Sequence, residues 1–94
     1  MTAEALVKKE IKHGLISRGI WFFMPVQCGY GRTAIDFICC WDGLFLAIEA
    51  KAENNKVGVR QQATLTEIKE AGGRAVVAYS WADVEEALER WTSS

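Results

Sequence analysis

The chain has 94 residues, a formal net charge of −1 and a composition that is 50% apolar. These values allow one compact domain, covering residues 1–94, and exclude a second hydrophobic core. The slight negative charge argues mildly against a nucleic-acid partner, which usually shows as an excess of Lys and Arg. However, residues 1–60 carry eight basic and six acidic side chains, against three and six in residues 61–94, so the acidic excess belongs to the C-terminal third.

The first half of the chain predicts one helix followed by three strands. Residues 3–17 place apolar side chains at helical spacing among lysines and indicate an amphipathic helix. Clusters of aromatic and branched apolar residues predict strands at residues 20–26, 33–41 and 44–52. Gly29 and Gly31 mark a loop at residues 27–32, and Asp42-Gly43 predicts a tight hairpin turn between the second and third strands.

The second half predicts a helix, a strand and a closing helix. Residues 59–71 have helical periodicity, and residues 74–79 form a short apolar run that is typical of a buried strand. Residues 81–91 predict the last helix, with Ser80 as its N-cap and Asp83 in the capping-box position. The order α-β-β-β-α-β-α predicts an α/β fold in which helices flank a mixed central sheet.

Hydropathy and cysteine content indicate the cellular compartment. No stretch approaches the roughly 20 apolar residues that cross a bilayer, and residues 1–12 indicate a polar helix rather than a signal peptide. We therefore expect a soluble, cytoplasmic protein. Cys28, Cys39 and Cys40 cannot all pair within one chain, so we expect reduced structural thiols. Because His13 is the single histidine, a zinc site lacks ligands at suitable spacing.

Three charged residues interrupt the apolar strands. Glu49 and Lys51 are two residues apart, so in a strand their side chains point to the same face. Asp36 interrupts the preceding strand in the same way. Across a hairpin that turns at Asp42-Gly43, Asp36 and Glu49 lie roughly six residues from the turn, which makes them neighbours on adjacent strands. The sequence thus predicts two carboxylates and an ammonium group in one small patch.

Two carboxylates that share a patch repel each other, and a divalent cation relieves that repulsion. Carboxylate oxygens are the ligands that Mg²⁺ or Mn²⁺ uses, usually together with water and substrate phosphate. Glu10 adds a third acid, because at about 100° per residue it falls between Leu6 and Val7 on the apolar stripe of the first helix. We expect Glu10 to point at the sheet and to join the two strand carboxylates.

These residues resemble a known active-site pattern. A Glu in the first helix, an Asp in the second strand and Glu-x-Lys in the third are similar to the pattern of the PD-(D/E)XK nucleases. More narrowly, the chain resembles the VRR-NUC family of stand-alone phage and bacterial nucleases. In that family the Asp follows a Gly-rich loop, and residues 29–36 have this pattern, with Asp36 at the end. A Gln opens the helix after the Glu-x-Lys strand. Gln61 is the matching position here, with Gln62 beside it as the other candidate.

The resemblance covers nearly the whole chain and implies both a fold and an activity. The implied fold is the restriction-endonuclease-like core, and the implied activity is hydrolysis of DNA phosphodiester bonds by a Mg²⁺- or Mn²⁺-dependent endonuclease. Lys51 would orient or activate the attacking water, and Gln61 would position the lysine or a water. The implied catalytic residues are Glu10, Asp36, Glu49, Lys51 and Gln61, and the implied metal ligands are Glu10, Asp36, Glu49 and the carbonyl oxygen of Ala50.

The family resemblance also suggests branched DNA, such as a four-way junction, as the substrate. A chain this short with a charged site often gains stability by pairing with a copy of itself, so we expect a homodimer. A two-fold axis would suit symmetric cuts in a junction. Basic side chains near the predicted site are equally compatible with phosphate contacts and with a solvated face; they are Lys8, Lys9, Lys12, Arg32, Lys56 and Arg60.

Simpler interpretations remain open for the same residues. Glu49 and Lys51 could form an ordinary pair on an exposed strand edge, and Glu10 could be solvated at the border of a helix face. The competing class of function is a nucleic-acid-binding or assembly module that keeps the nuclease fold without turnover. Core or dimer-interface positions are expected for the four tryptophans, Trp21, Trp41, Trp81 and Trp91.

Overall fold

The computed structural model describes residues 1–26 and 34–93. The elements in chain order are α1 (Ala3–Ser17), β1 (Trp21–Phe23), β2 (Phe37–Trp41), β3 (Leu44–Ala50), α2 (Val59–Glu70), β4 (Arg74–Ala78) and α3 (Trp81–Ser93). This order confirms the predicted α-β-β-β-α-β-α arrangement. The loop predicted at residues 27–32, with Cys28 and Arg32, lies outside the described residues.

The four strands form one mixed sheet in the order β1-β2-β3-β4. β1, β2 and β3 are antiparallel neighbours, whereas β4 runs parallel to β3 and is reached through the crossover helix α2. The turn between β2 and β3 is the predicted one, since Asp42 and Gly43 both have positive φ angles, of 51° and 79°. That backbone shape is the one a two-residue hairpin requires, and it sets the register that positions the site.

Each face of the sheet is covered by different helices. On one face, Phe37 and Ile48 belong to a core cluster with Ile11 and Leu15 of α1 and with Leu88 of α3. On the other face, a smaller cluster joins Ile35, Ala47 and Ala75 to Leu65 of α2. Alternation along the strands therefore separates an α1–α3 face from an α2 face.

Three of the tryptophans lie where the sequence predicted. Trp41, Trp81 and Trp91 are half-buried against the α1–α3 core, and the rings of Trp41 and Trp91 meet at 6.3 Å between centroids. Trp21 lies outside the core, with 62% of its surface exposed.

The predicted strands are longer than the observed ones at the end of the sheet that holds the charged residues. β1 ends at Phe23, before Pro25, which has no N–H group for pairing. β2 begins at Phe37, and the described residues 34–36 before it are not in the strand, because the Asp36 side chain itself accepts the N–H of Ala50 at 2.9 Å. Among residues 1–26 and 34–93, no helix has both the length and the apolar character that crossing a membrane needs.

Candidate active site

The structure brings Asp36 and Glu49 together at the open end of the β2–β3 hairpin. The last paired residues of these strands are Phe37 and Ile48, so Asp36 and Glu49 face each other one step further from the turn. The backbone N–H of Asp36 donates to Glu49 Oε1 at 3.3 Å, and the N–H of Ala50 donates to Asp36 Oδ2 at 2.9 Å. The hairpin register thus holds two carboxyl groups side by side.

Glu49 is the one buried charged residue in the described part of the chain, with 1% of its surface exposed. Burial, with a further contribution from the neighbouring charge of Asp36, raises the pKa of the Glu49 carboxyl to about 7. A hydrogen bond from the Asp36 backbone and the charge of Lys51 oppose this shift. The raised pKa therefore means that the positive charge near Glu49 is too small to offset the cost of burying its ionised carboxylate.

Gln61 holds Glu49 from the opposite side. Its side-chain nitrogen donates to Glu49 Oε2 at 2.6 Å, while its side-chain oxygen accepts the N–H of Gly58 at 3.2 Å. Because the oxygen is engaged at the start of α2, the amide nitrogen must face Glu49. Gln62 instead donates to Thr66 on the exposed side of α2. The structure thus brings Gln61, and not Gln62, to the cluster.

Lys51 and two residues of α1 complete the cluster. The Nζ atom of Lys51 lies 3.6 Å from Glu49 Oε2 and 3.8 Å from Glu4 Oε1. Lys8, one turn after Glu4, places its Nζ atom 3.2 Å from Asp36 Oδ1. The Lys51 side chain is 13% exposed, so this ammonium group is more shielded than an ordinary surface cation. Three acidic and two basic groups therefore share the site.

The structure does not bring Glu10 to this cluster, which corrects the prediction for that residue. Glu10 is exposed, and its carboxylate accepts the backbone N–H of Trp81 at the start of α3. The helical stripe that faces the sheet runs through Val7, Ile11 and Leu15, whereas Leu6 is 56% exposed. Glu10 lies off that stripe, where it satisfies a free N–H at a helix N-terminus.

The acid that α1 does bring to the site is Glu4, which the sequence reasoning missed. Glu4 precedes Val7 by three residues and Ile11 by seven, so it continues the buried stripe toward the N-terminus. Spacing from the two fully buried residues, Ile11 and Leu15, would have identified it. The position of the buried stripe was ambiguous from the sequence, because including Leu6 rotates the apparent apolar stripe of α1 by about one residue.

Four of the other basic candidates lie on the protein surface. Lys9, Lys12, Lys56 and Arg60 are exposed, while Arg32 lies outside the described residues. Among the basic candidates that the structure describes, Lys8 is the one whose ammonium group contacts a carboxylate of the cluster. Lys56 belongs to the loop after Lys51, which Tyr79 anchors by donating from its hydroxyl group to the Asn55 carbonyl oxygen at 3.0 Å.

The donor set suits a hard divalent cation that keeps water and substrate ligands. Among residues 1–26 and 34–93, no group of three or more His, Cys, Asp or Glu side chains could hold a metal ion by itself. The site instead offers the two adjacent carboxylates of Asp36 and Glu49, with the backbone of Ala50 beside them. Mg²⁺ is commonly bound by one or two carboxylates, with waters and phosphate oxygens filling the other positions.

A solved structure described as a "VRR_NUC domain" is similar to this chain. The two superpose with a TM-score of 0.78 at 23% sequence identity, over 95% of this chain and 97% of that one. At this identity the likeness establishes the fold, and the predicted VRR-NUC fold is confirmed. No protein-family model and no curated protein matches the sequence.

Proposed function

We propose that this chain, which has the fold of a VRR-NUC domain, is a divalent-metal-dependent endonuclease that hydrolyses DNA phosphodiester bonds. The observation that carries the proposal is the opposition of Asp36 and Glu49 across two strands, with Lys51 on the same face. A metal-free fold gains nothing from placing two carboxyl groups together and burying one of them. Such an arrangement is stabilised when a cation binds.

Mg²⁺ or Mn²⁺, when bound, would lower the pKa of a coordinated water and neutralise charge on the phosphate. Asp36 and Glu49 would hold the ion, with the carbonyl oxygen of Ala50 as a further ligand. The raised pKa of Glu49 supports this role, because a buried carboxyl group with a pKa of about 7 has a strong need for positive charge.

The other residues of the cluster would bind and orient the reacting groups. Lys51 would place its ammonium group against the phosphate oxygens and stabilise the charge that develops there. Gln61 would keep Glu49 oriented through its 2.6 Å hydrogen bond. Glu4, which is 3.8 Å from Lys51, would orient that ammonium group and accept a hydrogen bond from a water. Lys8 would leave Asp36 when the metal binds and turn toward the DNA backbone.

The substrate we propose is structured DNA, including branched forms such as four-way junctions, cut in the cytoplasm of a bacterial or phage-infected cell. This choice follows the resemblance of the sequence motifs to the VRR-NUC family. We further propose a homodimer, since paired sites would suit paired cuts. The exposed cations Lys9, Lys12, Lys56 and Arg60 would contact phosphates, because α1 and α2, which carry three of them, and the loop after Lys51, which carries Lys56, all contribute to or adjoin the cluster.

A cleavage assay tests the proposal. End-labelled linear, flapped and four-way DNAs are incubated with Mg²⁺, with Mn²⁺ and with a chelator, using the native chain, Lys51→Ala and Lys69→Ala. Lys69 is an exposed lysine near the end of α2, so its loss controls for a general decrease of positive charge. We expect metal-dependent products from the native chain and from Lys69→Ala, and a loss of about 100-fold or more in Lys51→Ala.

Binding without products would contradict the proposal. If the native chain binds these DNAs with the same affinity whether or not metal is present, and no cut appears, the chain is a binding or assembly module that retains the nuclease fold. Equal cleavage by Lys51→Ala and the native chain would also remove the proposed site from the reaction.

A further inference from the structure

Tyr79 lies outside the candidate site, directly after β4, and is 42% exposed. Its backbone N–H donates to Asp83 Oδ2 at 2.8 Å, in the first turn of α3. Its hydroxyl group donates to the carbonyl oxygen of Asn55 at 3.0 Å. Because a tyrosine side chain has few rotatable bonds, an anchored backbone places this hydroxyl group at a defined point. A rigid group from the end of β4 therefore holds the loop that contains Asn55.

The segment that Tyr79 contacts joins two residues of the candidate site. Residues 52–58, which we call the linking segment, connect Lys51 to α2, whose third residue is Gln61. Lys51 is held where this segment begins, because its N–H donates to the Ala78 carbonyl oxygen at 3.0 Å. Tyr79 follows Ala78 directly, so the end of β4 holds both Lys51 and the chain beyond it.

The first half of the linking segment is a turn that depends on Tyr79 for its attachment to the fold. Asn55 closes this turn by donating its N–H to the Ala52 carbonyl oxygen at 3.0 Å, and Asn54 inside it has a φ of 71°. Asn tolerates this left-handed conformation better than most residues. The second half is held by Val57, which packs against the core under α2. In the described part of the chain, the Tyr79 hydroxyl is the one hydrogen-bond donor that reaches the turn from another element.

Gly58, the last residue of the linking segment, decides which way the Gln61 amide faces. Its N–H donates to Gln61 Oε1 at 3.2 Å, which leaves Gln61 Nε2 to donate to Glu49 Oε2 at 2.6 Å. An amide group has an acceptor at one end and donors at the other, so a displaced Gly58 would remove the contact that selects this orientation. A continuous path of contacts thus leads from Tyr79 through the linking segment to Glu49.

We propose that Tyr79 is a positioning residue of the candidate site, which it reaches through the linking segment. By holding Asn55, its hydroxyl group fixes Gly58 and so keeps the Gln61 amide on Glu49. This inference rests on the proposed function, since a carboxylate that binds a cation needs neighbours that keep it in one orientation. Tyr79 touches neither the ion nor the DNA in this role and acts through Gln61.

Binding of Mn²⁺, followed by the electron paramagnetic resonance signal of the unbound ion, tests this role without DNA. Tyr79→Phe removes the hydroxyl group and keeps the ring. Thr92→Val is the matched control, because the Thr92 hydroxyl also donates to a backbone carbonyl oxygen, that of Leu88 in α3, at 2.8 Å. We expect Tyr79→Phe to raise the Mn²⁺ dissociation constant by about 3- to 10-fold, less than the loss of Gln61 itself, and Thr92→Val to leave it unchanged. An unchanged constant in Tyr79→Phe overturns the proposal.

A double-mutant cycle with Gln61→Ala separates positioning from a general loss of stability. If Tyr79 acts through Gln61, the double variant should bind Mn²⁺ as Gln61→Ala alone does, because the contact that carries the effect is already gone. A further loss as large as that of Tyr79→Phe alone would show that the two residues act independently, which also overturns the proposal. Urea denaturation checks that each variant is folded under the conditions of the binding measurement.

The side-chain amide signals of Gln61 test the same path in the metal-free chain. In a nitrogen–proton correlation spectrum, we expect the two amide protons to be well separated in the native chain, since one of them donates to a carboxylate. Tyr79→Phe should move both signals toward those of a hydrated glutamine, and Thr92→Val should not. Signals that coincide in Tyr79→Phe and the native chain overturn the positioning role. If the signals move as expected but the native chain binds no Mn²⁺, the contact path stands and the proposed function fails.

Discussion

At the residue scale, the decisive feature is a buried carboxyl group that the protein itself does not neutralise. Glu49 is 1% exposed and has Asp36 as its closest acidic neighbour. Lys51 and the backbone N–H of Asp36 reduce the cost of its charge, but burial dominates and the pKa of Glu49 remains near 7. Without a metal ion, the ionised site is therefore a source of instability in the folded chain.

This raised pKa predicts how the stability of the metal-free chain depends on pH. Folded Glu49 retains its proton up to about pH 7, whereas the unfolded chain releases it near the ordinary value of 4.5. The free energy of unfolding should therefore be highest below about pH 4.5 for this group and should fall by up to about 3 kcal/mol by pH 7. Urea denaturation with a chelator present measures this fall.

Two comparisons separate Glu49 from other titrating groups. Glu49→Gln should flatten the decline between about pH 4.5 and 7, because the group that titrates there is gone. Mg²⁺ or Mn²⁺ should restore stability to the native chain above pH 7 and have no such effect on the variant, since the proposed ion would bind the ionised carboxylate in the folded state. An unchanged decline in Glu49→Gln would assign the pH dependence to another residue.

Gln61 gives a second prediction at this scale. Gln61→Ala removes the 2.6 Å hydrogen bond to Glu49, so cleavage or metal affinity should fall by about 10- to 100-fold. Gln62→Ala is the matched control, because Gln62 contacts Thr66 on the exposed side of the same helix. Steady-state cleavage at several metal concentrations measures both variants. Equal losses in the two variants would indicate a general effect on α2 rather than orientation of Glu49.

Sequence reasoning located the strand carboxylates and failed on the helix acid, for a physical reason. Hairpin register is fixed once the turn is known, so counting from Asp42-Gly43 was enough to place Asp36 opposite Glu49. A helix has no comparable anchor. An error of one position in the apolar stripe turns the helix by about 100°, and this was enough to select Glu10 in place of Glu4.

At the scale of elements, the contact between α1 and α3 explains what Glu10 does. Its carboxylate caps the N-terminus of α3, where Ser80 accepts from Asp83 N–H and Asp83 accepts from Tyr79 N–H. Glu10→Ala should therefore reduce stability by about 1 kcal/mol and leave metal-saturated cleavage close to the native rate. Glu4→Ala should show the reverse pattern. Thermal denaturation and cleavage rates of the two variants, measured together, distinguish these roles.

Gly14 provides a sharper test of the same contact. A Cβ atom at Gly14 would overlap the indole carbons of Trp81, which lies at the start of α3. Helix propensity alone would make Gly14→Ala more stable by about 1 kcal/mol, whereas overpacking costs about 1–3 kcal/mol. We expect a net loss in the free energy of unfolding, measured with urea. Net stabilisation would show that α1 and α3 pack less closely than the structure indicates.

The ends of the elements could be predicted only where local chemistry determines them. α1 begins and ends where the sequence predicted, because Thr2 accepts the N–H of Ala5 and the helix ends just before Gly19, whose φ of 69° favours glycine. The ends of β1 and β2 near the site were overestimated. There the Asp36 side chain takes a strand N–H, and no propensity scale contains such a contact between distant residues.

At the scale of the whole molecule, the candidate site is assembled where four elements meet. The N-terminal turns of α1 and α2 contribute Glu4, Lys8 and Gln61, and the hairpin contributes Asp36 and the Glu49–Lys51 pair. β4 supports this end through a hydrogen bond from Lys51 N–H to the Ala78 carbonyl oxygen. The order of elements could be predicted because each has a strong local pattern. The convergence of side chains could not, since it depends on how the helices are rotated against the sheet.

Locating a bound metal ion tests the central claim most directly. Crystals grown with Mn²⁺ would be measured for anomalous scattering, and the strongest peak would be compared with the positions of the side chains. We predict one ion within about 2.1–2.3 Å of a carboxylate oxygen of both Asp36 and Glu49, with Lys8 displaced from Asp36. A peak elsewhere on the chain, or none at a Mn²⁺ concentration that supports cleavage, would contradict the account.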